Sequence, residues 1–190
     1  MTLDTKFTVL ESLVDVGTRL REENSGQLGE FLSLTVSGLC GEGQGWARLQ
    51  VRGLETSLLT QCVLSLARLV RLAENSPGLA RHLQTFTELL LTVAGSNSKT
   101  PVQAAVLHSL GVVGTLVPPH LLLGGELGHL LATAAEWAGS LTGDLTSSGT
   151  ATAGLLKLRH AEGLRLQVER DLAQTTEIKM TIDKHQIKLK

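Results

Sequence analysis

The sequence predicts an all-α fold of six or seven helices, and three observations carry that expectation. Leu supplies about a fifth of the residues, while Tyr is absent, Phe occurs three times and Trp twice. Sheets favour aromatic and β-branched side chains, whereas Leu and Ala lose little freedom in a helix. Apolar residues also recur every three or four positions through most of the chain. Finally, Gly, Pro, Asn and Ser punctuate these segments at helix-length intervals.

The first helix is expected from Asp4 to Glu23, with Phe7, Leu10, Val14 and Leu20 on one face. Asn24-Ser25-Gly26 marks a turn. The second helix, Leu28 to Cys40, aligns Leu28, Phe31, Leu32, Thr35, Val36 and Leu39, and the run Gly41-Glu42-Gly43-Gln44-Gly45 ends it. A third, from Trp46 to Glu74 with a break at Gly53, carries Leu54, Leu58, Cys62, Leu66 and Leu69, widened by Leu59, Val63 and Val70. Such a wide apolar face suits a helix packed on more than one side.

Asn75-Ser76-Pro77 forms the next boundary, with Ser76 placed to cap and Pro77 to begin a helix. That fourth helix carries Leu79, Leu83, Phe86, Leu90 and Val93 and stops at Gly95. Thr100 and Pro101 repeat the cap and start for a fifth, which Pro118-Pro119 closes; Val102, Leu107, Leu110 and Val113 are its expected core. The sixth covers Leu121 to Leu141, with Gly124-Gly125 offering a loose start. Residues 142–152, rich in Gly, Ser and Thr, read as a flexible loop before a charged seventh helix, Ala153 to Gln174.

After Gln174 the period changes. Ile178, Met180 and Ile182 alternate with Lys179, Thr181 and Asp183, and Ile187 and Leu189 alternate with lysines. Period two points to strand, so residues 175–190 are expected as a β-hairpin or a disordered tail beside an α-helical domain of residues 1–174.

The segment Thr100-Pro101-Val102-Gln103-Ala104-Ala105-Val106-Leu107-His108-Ser109-Leu110-Gly111 resembles the first half of a HEAT or armadillo repeat unit. The resemblance extends over Leu28 to Leu141, where the block from Val51 to Leu59 aligns with that from Val102 to Leu110. It implies a short solenoid of stacked helices used to hold other proteins. The sequence departs from the family at Lys99 and Gln103, where Asp and Arg are common, and its offset exceeds the usual repeat of about 40–47 residues. A closed helical bundle would show the same apolar pattern.

The composition excludes more chemistry than it supplies. A net charge of −1 gives no general attraction for nucleic acid, and the late basic residues are offset by acids with no aromatic residue between them. Residues 100–125 carry no charge, but Pro118-Pro119 interrupts them before the roughly 20 residues a membrane span requires. No nucleotide-binding loop follows Gly41, Gly43 and Gly45, and no Gly-x-Ser-x-Gly elbow occurs. His82, His108, His120, His129, His160 and His185 are scattered without metal-ligand spacing and read as surface or helix-end residues, with a groove open to His108 and His129. Cys40 and Cys62 read as inert core thiols, and two thiols with no secretory signal suit an intracellular, cytoplasmic or nuclear protein.

These exclusions leave a non-enzymatic protein-interaction or scaffold subunit, without cofactor or metal, whose partners are other protein chains. Its candidate contact residues are Trp46, Arg48, Arg52 and Trp137, together with Ile178, Met180 and Ile182 of the tail. The alternative is a helical bundle whose apolar groove takes a small apolar ligand or lipid.

Overall fold

Seven α-helices and one 3₁₀ turn make up the part of the chain that the computed structural model describes, residues 3–40, 56–96, 98–122, 125–141 and 149–188. They are α1 (Leu3–Glu22), α2 (Leu28–Cys40), α3 (Thr56–Arg71), α4 (Leu79–Ser96), α5 (Thr100–Leu116), the 3₁₀ turn Pro119–Leu122, α6 (Glu126–Gly139) and α7 (Gly149–Lys188). No strand occurs among the described residues, so the fold is all-α.

The helices lie in two rows. In the first, α1 packs on α3, α3 on α5 and α5 on α7; in the second, α2 packs on α4 and α4 on α6. Sequential contacts of α1 with α2, α3 with α4, α5 with α6 and α6 with α7 join the rows. Helix α1 runs parallel to α3, and α5 to α7. Glu11 of α1 meets Ser65 and Arg68 of α3, and ten residues later Arg21 meets Arg71 and Glu74. A parallel row follows when each helix returns through a partner in the other row.

The turns within the first two pairs match in sequence and in conformation. Glu23-Asn24-Ser25 and Glu74-Asn75-Ser76 stand 51 positions apart, and both asparagines adopt left-handed backbone, with φ of 50° and 65°. Asparagine tolerates that region, which ends a helix and frees the chain to reverse. In each turn the serine carbonyl then accepts the amide of the first residue of the next helix, Leu28 or Leu79, at 3.2 Å.

At the centre lies α5. Val102, Leu107, Leu110 and Val113 are all fully buried, as the sequence led one to expect, and Ala105, Val106, Ser109, Gly111 and Val112 are buried around them. The helix touches α3, α4, α6 and α7, which leaves little of its surface for a charged residue. Its uncharged sequence is the consequence. Small residues let α7 come close: Gly111 faces Gly154, and Gly114 faces Ala161 and the Lys157 carbonyl.

Between α1 and α3, Glu11 makes a polar contact that reaches the core. It accepts the buried Ser65 hydroxyl at 2.5 Å and the Arg68 guanidinium at 3.2 Å. The serine is thereby satisfied inside an apolar interface.

Several expectations are corrected. Helix α7 begins at Gly149, inside the anticipated loop, and runs on through residues 175–188, where a hairpin or disordered tail was expected. Alternation of Ile178, Met180 and Ile182 was a weak strand signal, because Glu, Lys, Met and Gln around them favour helix and Lys184-His185 contains no turn-forming residue. The Thr181 hydroxyl bonds to the Glu177 carbonyl, and the His185 ring lies 2.9 Å from the Thr181 carbonyl, each one helical turn back. Lys99, not Thr100, is the cap position of α5, and it makes no side-chain cap bond. Ser76 does not cap α4, whose helix starts only at Leu79. Pro118 and Pro119 do end α5, but α6 starts at Glu126 after the 3₁₀ turn. The Gly41–Gly45 run, Gly53 and the expected first part of the third helix lie outside the described residues.

Candidate protein-interaction surface

Helix α7 has two parts with different surroundings. Its proximal part is held by Gly154, Leu158 and Ala161, all buried against α5 and the core. From Glu169 on, every residue to Ile187 is exposed. At 1.5 Å per residue, the stretch from Glu169 to Lys188 extends about 30 Å along the helix axis. That distal segment still carries large apolar side chains: Leu172, Ile178, Met180, Ile182 and Ile187 are each more than half exposed. Scattered exposed apolar residues are ordinary, but five on one unpacked helical segment are not.

Where the two parts meet, Arg165 fixes the surface. Its Nε donates to Glu162 Oε2 at 3.0 Å and its Nη2 to Glu162 Oε1 at 2.6 Å, while Nη1 donates to Glu169 Oε1 at 2.5 Å. The two-pronged bond to Glu162 is the first cause holding this guanidinium's pKa above its ordinary value. Beside it, α6 and α7 border an open groove of about 220 Å³ lined by Ala135, Ala138, Gly139, Leu158, Glu162 and Leu166, among others. The groove lies next to α6, the last helix of the second row among the described residues.

The structure separates the predicted contact residues. Ile178, Met180 and Ile182 stand on distal α7, with exposures of 63%, 55% and 51%. Trp137 belongs elsewhere. It is half-buried on α6 and packs against the core, with its carbonyl accepting the Ser140 hydroxyl at 2.7 Å. Trp46, Arg48 and Arg52 lie outside the described residues. Missing from the sequence reading were Leu164, Leu166 and Leu172 as exposed members of the same helix; unbroken helix-forming sequence from Leu164 to Lys190 was the available signal.

His120, His129, His160 and His185 are exposed, as expected, and two histidines have more enclosed surroundings. His82 stands at a helix end, in the first turn of α4, but is buried there with its Nδ1 unpartnered. Burial, and then the neighbouring Arg81, lowers its pKa. His108 is half-buried on α5, and burial followed by Lys157 and Arg71 lowers its pKa as well. His129 is exposed on α6. Cys62 is a core residue, while the side chain of Cys40 lies outside the described residues. Among the described residues no three His, Cys, Asp or Glu side chains converge as a metal site would require, and no helix is long and apolar enough to cross a membrane.

No family model, curated protein or solved structure matches the chain.

Proposed function

We propose that the chain is a non-enzymatic protein-interaction subunit, a short HEAT- or armadillo-like stack whose distal α7 engages another protein chain inside the cell. The observation that carries this reading is the exposed apolar set on distal α7, Leu172, Ile178, Met180, Ile182 and Ile187. A helix continuing beyond its core with such residues gains by laying them against a partner. The two-row packing, with α1 parallel to α3 and α5 to α7, supports the repeat-like part of the reading.

The α6–α7 groove favours a small apolar ligand less. About 220 Å³ is below the usual range of ligand pockets, roughly 300–1,000 Å³, and the groove is open to solvent. Replacing Ile178, Met180 and Ile182 together by Ser tests the proposal. Affinity purification from cells with mass spectrometry should recover specific proteins with the wild type and lose them with this variant. Equal recovery would remove distal α7 as the contact.

A further inference from the structure

The partner of distal α7 follows from symmetry in its own sequence. Around Thr175, Leu172 and Ile178 lie three positions away on either side, Asp171 and Lys179 four, and Val168 and Ile182 seven. Residues three, four and seven apart share one face of a helix, so all seven form a single stripe. Leu172, Asp171, Thr175, Ile178, Lys179 and Ile182 are exposed on it. Reversing the helix about Thr175 superimposes apolar on apolar and acid on base.

Charge along the helix has the same reversal. Glu162 to Glu177 contains four acids and two bases, net −2, whereas Ile178 to Lys190 contains four lysines and one acid, net +3. The two halves attract, yet they belong to one continuous helix that cannot fold back on itself. Their complementarity is satisfied only between molecules. Antiparallel pairing matches the halves, and parallel pairing sets like against like.

Resting on the interaction reading above, we propose that this partner is a second copy of the chain, bound through an antiparallel α7–α7 pair with its two-fold axis near Thr175. Val168 then faces Ile182 of the second copy, Leu172 faces its Ile178, and Asp171 faces its Lys179. The interface is isologous, so each contact occurs twice. Polar Thr175 and the Asp171–Lys179 contacts select this register over slipped ones.

Sedimentation equilibrium on the full chain tests the pairing, with circular dichroism confirming that each variant keeps its helix. The wild type should reach a dimer as concentration rises. Replacing Ile178 and Ile182 together by Asp should leave a monomer. Asp171→Lys or Lys179→Asp alone should weaken dimerisation about tenfold, because symmetry doubles each exposed-pair effect. The two together should restore it. A wild type that stays monomeric at every concentration overturns the proposal, as does a dimer that ignores these changes or that the double variant fails to restore. A monomeric chain whose Ile178 and Ile182 still capture a different protein overturns self-pairing while leaving the interaction reading in place.

Discussion

Gly111 of α5 and Gly154 of α7 meet backbone against backbone: a β-carbon on Gly111 would stand 2.6 Å from the Gly154 Cα and 2.7 Å from its carbonyl oxygen. From the other side, a β-carbon on Gly154 would run into the Leu107 carbonyl and lie 2.7 Å from the His108 Cα. Neither neighbour is a flexible side chain that could turn away. The proximal part of α7 is therefore anchored by the absence of two side chains.

Gly111→Ala and Gly154→Ala should each destabilise the protein. Alanine gains about 1 kcal/mol of helix propensity over glycine, but forcing two backbones apart costs roughly 1–3 kcal/mol or more. Gly163, farther along α7, has nothing within 4 Å of a built β-carbon. There the propensity stands alone, and Gly163→Ala should stabilise by up to about 1 kcal/mol. Thermal melts of the three variants check the opposite signs.

Leu110→Ala should cost roughly 2–5 kcal/mol. Leu110 is fully buried on the helix that packs on α3, α4, α6 and α7, so the surroundings have little freedom to collapse into the space left. Denaturant unfolding measures the loss, and a curve superimposable on wild type would place α5 outside the core.

Stability should fall with acid over the range in which free histidine titrates. His82 has its pKa lowered in the folded chain, so it binds fewer protons there than when unfolded. Its contribution is full above the unfolded value of about 6.5 and is lost as pH falls below that toward the folded value. His108 adds to the effect in the same direction. The melting temperature should drop as pH is lowered through this window, and His82→Leu should make the drop shallower. An unchanged slope in the variant would mean that His82 is not neutral in the fold.

The helical core was legible in the sequence because its signals are local. Apolar spacing marked Leu59, Leu66, Leu83, Phe86, Leu90 and Leu110, and turn residues at Asn24, Asn75 and Pro118-Pro119 marked the ends. The two-row arrangement was less legible, since the close pair Gly111 and Gly154 is separated by 43 positions and neither glycine advertises a crossing. His82 stands at a helix end, as its position suggested, but its burial was not legible, because only packing shows a polar residue near a helix start to lie inside. The tail was misread because alternation over six residues also fits a helix with apolar side chains on two faces. Of the candidate contact residues, Ile178, Met180 and Ile182 stood out by their apolar character and are exposed, although on a helix and not in a hairpin or disordered tail, and Trp137 is a half-buried ring against the core, which its place beside a Gly-rich turn allowed.

Helix α7 has a proximal part packed into the fold and an exposed distal part proposed to bind, and one truncation separates the two. A chain ending at Thr175 keeps Gly154, Leu158, Ala161 and Arg165 and lacks Ile178, Met180, Ile182 and Ile187. Its melting temperature should match that of the full chain, with helical circular dichroism reduced only by the residues removed, while complex formation through α7 disappears. A truncated chain that unfolds, or one that assembles as well as the full chain, would contradict the division.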